Sequence, residues 1–137
     1  MKPTMDRRFD RRFDALERIF AFTREFFDAE AIDERHRFPV NFAVEEIFTN
    51  WVKYNPDNSN EILIQLARHD NRLRIVLQDF DVEPFDVTRA PAPDTDAALE
   101  DRNVGGLGIF LTHKVMDHVE YHYEDRNSKI TLTRALG

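Results

Sequence analysis

Apolar positions along the chain fall into blocks of different period. Between residues 15 and 30, Leu16, Ile19, Phe20, Phe22, Phe26 and Phe27 recur close to helical spacing, which predicts an amphipathic helix. A second helix is expected over residues 40–54, with Pro39 at its start, where a missing N–H costs little. Asn55-Pro56-Asp57-Asn58-Ser59-Asn60 supplies a turn cluster. Strands are expected at 61–68 and 73–78, joined by a turn around Asp70 and Asn71. Residues 80–104 have little periodicity and contain Pro84, Pro91 and Pro93, the mark of a long loop. Residues 106–117 read as a third helix, and 119–123 with 129–133 as a closing hairpin. This order predicts an α+β two-layer sandwich, with helices on one face of a mixed, mainly antiparallel sheet. One domain is expected over residues 1–137, with 1–14 as an arm or edge strand.

Composition narrows the class. The chain is 42% apolar and 33% charged, and its twelve Phe supply much of the core volume. With no cysteine, disulfides and thiolate metal sites are excluded. No apolar run approaches the roughly 20 residues that span a bilayer. The charged N-terminus lacks a following apolar stretch, so no secretory leader is expected and the cytoplasm is the default location. A net charge of −7 argues against nucleic acid as a partner. The acidity is local: eight acids and one base, Arg89, lie between Asp79 and Asp101. Arg7, Arg8, Arg11 and Arg12 instead make the N-terminal segment basic, as a solvated arm or edge strand would be.

Three places could carry chemistry. On the second helix Val44, Ile47, Phe48, Trp51 and Val52 share one face, while Glu46, Asn50 and Lys53 stack on the opposite one. A carboxylate, an amide oxygen and an ammonium one turn apart suit a magnesium nucleotide: the amide oxygen as a hard ligand for Mg²⁺, the ammonium against phosphate, the carboxylate as a proton acceptor. Any amphipathic helix also shows a polar face, so the spacing leaves both readings open. Gly105, Gly106 and Gly108 are all of the internal glycines. They cluster where the third helix opens, and free N–H groups there favour an anion; a plain loop-to-helix junction is the other reading. Asp79 ends a strand, where a carboxylate can accept from an exocyclic amine such as that of adenine. His118 and His122 share a strand face and read as a surface pair rather than a metal site.

Together these segments resemble the GHKL superfamily of ATPases. Glu46-Ile47-Phe48-Thr49-Asn50-Trp51-Val52-Lys53-Tyr54 resembles its N-box, and Asn103-Val104-Gly105-Gly106-Leu107-Gly108-Ile109 its glycine-rich G2 box. Pro84-Phe85-Asp86, Leu99-Glu100-Asp101 and Val115-Met116-Asp117 add a similarity to the anti-sigma-factor serine kinases, over residues 15–134. The resemblance implies a Bergerat, or histidine-kinase-like, ATPase fold that binds ATP and Mg²⁺. It makes Glu46 the catalytic base and Asn50 the Mg²⁺ ligand. Lys53, Gly105, Gly106, Leu107 and Gly108 would lie near phosphate, Asp79 on adenine with Thr131 beside it, and residues 87–104 would form a lid that is mobile without ligand. Such proteins bind a sigma factor, phosphorylate a serine of a STAS-fold antagonist and tend to dimerise. The chain departs from the family at the G1 box, where Asp-x-Gly is replaced by Asp79-Phe80-Asp81 and the segment is one residue longer. Asp81 tolerates a left-handed backbone and could keep the turn, but Asp81 and Glu83 add negative charge near a polyphosphate. A protein-binding module of the same fold without ATP is therefore the alternative.

Overall fold

The computed structural model describes residues 4–89 and 104–137. An edge strand β1 (Thr4–Phe9) leads through a short 3-10 turn into helix α1 (Leu16–Ala29). Helix α2 (Arg37–Tyr54) follows, then strands β2 (Ile62–His69) and β3 (Arg72–Asp79). Helix α3 (Val104–Val115) and strands β4 (His118–Glu124) and β5 (Asn127–Ala135) complete the described elements. The sheet order is β1-β2-β3-β5-β4. Every described pairing is antiparallel, so the mixed sheet expected from sequence is fully antiparallel here. α2 starts earlier than expected, because the turn Glu34–His36 leads straight into it. Pro39 is thus the third helical residue, still in the first turn where its N–H needs no partner.

Strand parity decides which side chains face the helices. Directly paired residues of an antiparallel sheet share a face. Ile64, Leu77 and Ile130 form one such row, and Leu66, Ile75 and Leu132 the next. All six are buried, and they pack with Ile19, Phe22, Phe26 and Phe27 of α1 and Val40, Val44, Ile47, Phe48 and Trp51 of α2. The opposite face carries Gln65, Arg74, Lys129, Thr131 and Glu120, which explains the alternating burial of β2 and β5. Phe9 anchors β1 through an edge-on contact with Phe22, ring centroids 5.6 Å apart. A buried Phe in such a cluster contributes about 3–5 kcal/mol relative to Ala.

His36 ties the start of α2 to the end of β5. It is buried, and its two ring nitrogens face Arg35 Nε at 3.2 Å and Arg134 Nε at 3.0 Å. Arg134 also donates from Nη1 to the carbonyl of Val115 at the end of α3. Burial, then Arg134 and Arg35, hold the His36 pKa below its ordinary 6.5, against the opposing pull of the Leu136 carbonyl and Asp33. The unfolded chain therefore binds more protons than the native one below about pH 6.5. Stability is expected to be complete above that value and to fall as pH drops through the window beneath it. Melting temperature followed from pH 8 to pH 5 for wild type and His36→Gln checks this; the variant should lose that part of the slope.

Candidate functional site

α2 is the centre of the site. Its inward stripe is buried against the sheet, and of the three polar residues opposite that stripe only Lys53 is exposed. Asn50 is only 5% exposed and Glu46 is half-buried, because α3 packs along that side of α2. The Asn50 amide donates from Nδ2 to the Glu46 carbonyl at 2.7 Å and to Glu46 Oε1 at 3.2 Å. With Nδ2 committed in this way, the amide oxygen is the group Asn50 can offer a hard cation. Burial raises the Glu46 pKa; Asn50 opposes this through its hydrogen bond, Glu45 adds to it, and the more distant Lys53 opposes it. A carboxylate made more basic in this way, one turn from an amide oxygen, could serve as a general base.

The glycine segment meets Glu46 directly. Gly105 and Gly106 lie in the first turn of α3, but Gly108 is inside the helix. A Cβ built on Gly108 would lie 2.0 Å from Glu46 Cδ and 2.2 and 2.3 Å from its oxygens. Gly108 therefore makes room for the carboxylate, a role distinct from a phosphate cradle. Leu107 is exposed on the first turns of α3. Lys53 is exposed too, its ammonium 5.9 Å from the Tyr54 ring centre. It lines a cleft of about 370 Å³ with Arg11, Phe13, Val52 and Pro56.

Asp79 closes the other end. Its side chain is fully buried, and its Oδ1 accepts from the Phe80 amide at 3.0 Å. Oδ1 also pairs with Arg11, whose Nη1 reaches the carbonyl of Trp51, next to Asn50. Burial pushes the Asp79 carboxyl up, against Arg11 and the Phe80 amide. The structure corrects the placement of Thr131. Asp79 pairs with Ser128, whereas Thr131 pairs with Val76 and Glu120 on the opposite face of the sheet. Three residues from Ser128 the parity is reversed, so the hydroxyl beside Asp79 belongs to the buried Ser128.

The glycine missing after Asp79 is replaced as expected: Asp81 adopts a left-handed φ of 56°. The charge of this segment is answered by a residue the sequence did not flag. Arg126 pairs with Asp81 at 2.9 Å and Glu83 at 3.1 Å. Its main-chain carbonyl accepts from the Val82 amide at 2.9 Å. Arg126 follows Asp125 in a two-residue hairpin turn with both φ positive, and that turn is what points it at the segment. Arg126, Asp81 and Glu83 border a polar cleft of about 470 Å³ floored by residues 54–60. Most of the expected lid, 90–103, lies outside the described residues; 87–89 form a 3-10 turn. Among the described residues there is no cluster of metal-binding side chains, and no helix is long and apolar enough to cross a membrane.

Comparison with known proteins gives a consistent answer. The family model described as histidine kinase-like ATPase domain matches residues 9–134. A serine-protein kinase RsbW of Halalkalibacterium halodurans is 30% identical over 101 residues, 71% of this chain and 61% of that protein's length. The RsbW of Listeria monocytogenes is 29% identical over 121 residues, covering 84% of this chain and 73% of its own. Among solved structures, the RsbU and RsbW domains of a Mycobacterium tuberculosis protein superpose with a TM-score of 0.69 at 18% identity, over 98% of this chain and 32% of that one. The SiaB-SiaC complex from Pseudomonas aeruginosa gives a TM-score of 0.64 at 18% identity, over 95% and 87%. At that identity the structural likenesses establish the fold.

Proposed function

Because the chain belongs to the histidine kinase-like ATPase domain family, matched over residues 9–134, we propose that it is an ATP-dependent serine kinase of the anti-sigma-factor type. It would act in the cytoplasm, hold a sigma factor and phosphorylate a STAS-fold antagonist. The observation that carries this reading is the Glu46–Asn50 pair seated against Gly108, with the Glu46 carboxylate made more basic by burial. Relatives named serine-protein kinase support it, as does a solved neighbour captured in a two-protein complex.

The residues fit a magnesium nucleotide. Asn50 would hold Mg²⁺ through its amide oxygen, the α3 N-terminus with Gly105 and Gly106 would face phosphate, Lys53 would add charge, and Asp79 would take the adenine amine. The nucleotide supplies the phosphoryl group. Glu46 would accept the proton of the substrate serine as that oxygen takes the phosphoryl group and the nucleoside diphosphate leaves, and the missing Cβ of Gly108 gives the carboxylate room to do so. Arg126 pairs with both Asp81 and Glu83 and so offsets one of the two negative charges that the altered G1 segment adds.

A second reading, a protein-binding module without ATP, is favoured by one observation: Arg11 already holds the carboxylate of Asp79. Calorimetric titration with Mg-ATP and phosphate transfer to a STAS-domain partner decide between them. The kinase reading expects saturable binding and a phosphoserine on the partner. Absence of both at millimolar Mg-ATP overturns it.

A further inference from the structure

Arg11 lies in the turn after β1, where the Arg12 amide donates to the Asp10 carbonyl at 2.8 Å. Arg7 and Arg12, its neighbours in the basic arm, form exposed ion pairs with Glu25 and Asp14. Arg11 is different. Its side chain is 4% exposed and inserts between the C-terminal turn of α2 and the end of β3. The pairing is incomplete, since Arg11 Nε and Asp79 Oδ2 are both buried without a hydrogen-bond partner among the described residues. Buried charges left partly unsatisfied are costly, and such a pair is poor evidence of a purely stabilising role. The Asp79 side chain is fully buried, and Arg11 engages its Oδ1.

We propose that Arg11 is a latch on the nucleotide site: its guanidinium occupies the position on Asp79 that an exocyclic amine of the base would take, so Mg-ATP binds only as the arm withdraws. This rests on the reading of Asp79 as the base-contacting carboxylate given above. A guanidinium and an adenine amine are both N–H donors to a carboxylate, and Arg11 engages Asp79 Oδ1 until it leaves. The arm is suited to leaving. β1 is an edge strand paired on one side only, with β2, and its residues from Thr4 to Arg8 are exposed or half-buried. Phe9, packed on Phe22, is the buried residue of β1 that withdrawal has to free.

The test uses the full chain. Mg-ATP affinity is measured by calorimetry for wild type and Arg11→Gln, which keeps a donor toward the Trp51 carbonyl but no charge. Hydrogen exchange of residues 4–12 is followed in wild type with and without saturating Mg-ATP. Trp51, the single tryptophan, gives a fluorescence signal at the point Arg11 vacates. The latch predicts affinity tightened by on the order of tenfold in Arg11→Gln, since the competent fraction rises, and faster exchange in the arm when nucleotide binds. Equal or weaker binding by folded Arg11→Gln overturns it. Should that variant not fold, wild-type exchange decides: unchanged protection of residues 4–12 at saturation also overturns it. Nucleotide bound with the arm undisturbed sinks the latch alone, whereas no nucleotide bound by either protein sinks both the latch and the kinase reading.

Discussion

Glu46→Gln is expected to leave Mg-ATP affinity largely unchanged and to lower phosphate transfer by on the order of 10²–10⁴, the range a positioned general base contributes. The amide keeps the volume of the carboxylate, and its oxygen can still accept from Asn50 Nδ2, which lies 3.2 Å from Glu46 Oε1. Folding should not suffer, because burial already disfavours the charged form of Glu46 and the variant removes that charge. Single-turnover transfer, calorimetric affinity and melting temperature of the same preparation check this. The wild-type rate should also fall on acidification at a pH above the ordinary carboxylate range, as the base becomes protonated. A variant that transfers phosphate at the wild-type rate would show that Glu46 is not the base. One that binds no nucleotide would show that the residue holds the site together instead. Asn50→Ala makes a useful contrast: the residue is buried and bonded to the preceding turn, so its loss costs about 1–3 kcal/mol of stability as well as binding.

Local spacing made the grouping of residues legible, whereas their reading as a nucleotide site came from the resemblance of the N-box and glycine segments. Glu46, Asn50 and the core stripe of α2 follow from helical periodicity, and the hairpin of β2 and β3 from alternation. The left-handed turn at Asp81 follows from the tolerance of Asp for that conformation, and φ there is 56°. What was not legible depends on partners distant in the chain. That α3 covers Glu46 and Asn50 was not legible, because helical spacing shows only that they lie opposite the core stripe. Thr131 was placed on the wrong side because its face relative to Asp79 is set by the register pairing Asp79 with Ser128, and a shift of one residue reverses every side chain. Arg11 lies 68 positions from Asp79, and nothing in its Arg-Arg-Phe-Asp context separates it from Arg7. Arg126 reaches Asp81 and Glu83 only because its hairpin turn has two residues with positive φ.

Gly108→Ala is expected to separate activity from stability. In sequence Gly108 reads with Gly105 and Gly106 as one phosphate-binding cluster, but in the structure it is a helical residue facing Glu46. An added methyl would fall 2.0 Å from Glu46 Cδ, well inside contact distance, so one of the two must move. The clashing atoms are the far end of a flexible side chain, so the carboxylate yields and α3 stays packed. Ala also favours helix over Gly by roughly 0.5–1 kcal/mol. The melting temperature should therefore hold or rise. Transfer should fall by on the order of 10²-fold, the loss that about 1 Å of misplacement causes in a reacting group. The double variant with Glu46→Gln isolates the cause. If the methyl acts by displacing the base, adding it where the base is already lost changes little, and the two effects are far from additive. Full additivity, or a lowered melting temperature with normal transfer per folded molecule, would mean that Gly108 serves the packing of α2 against α3 and does not position Glu46.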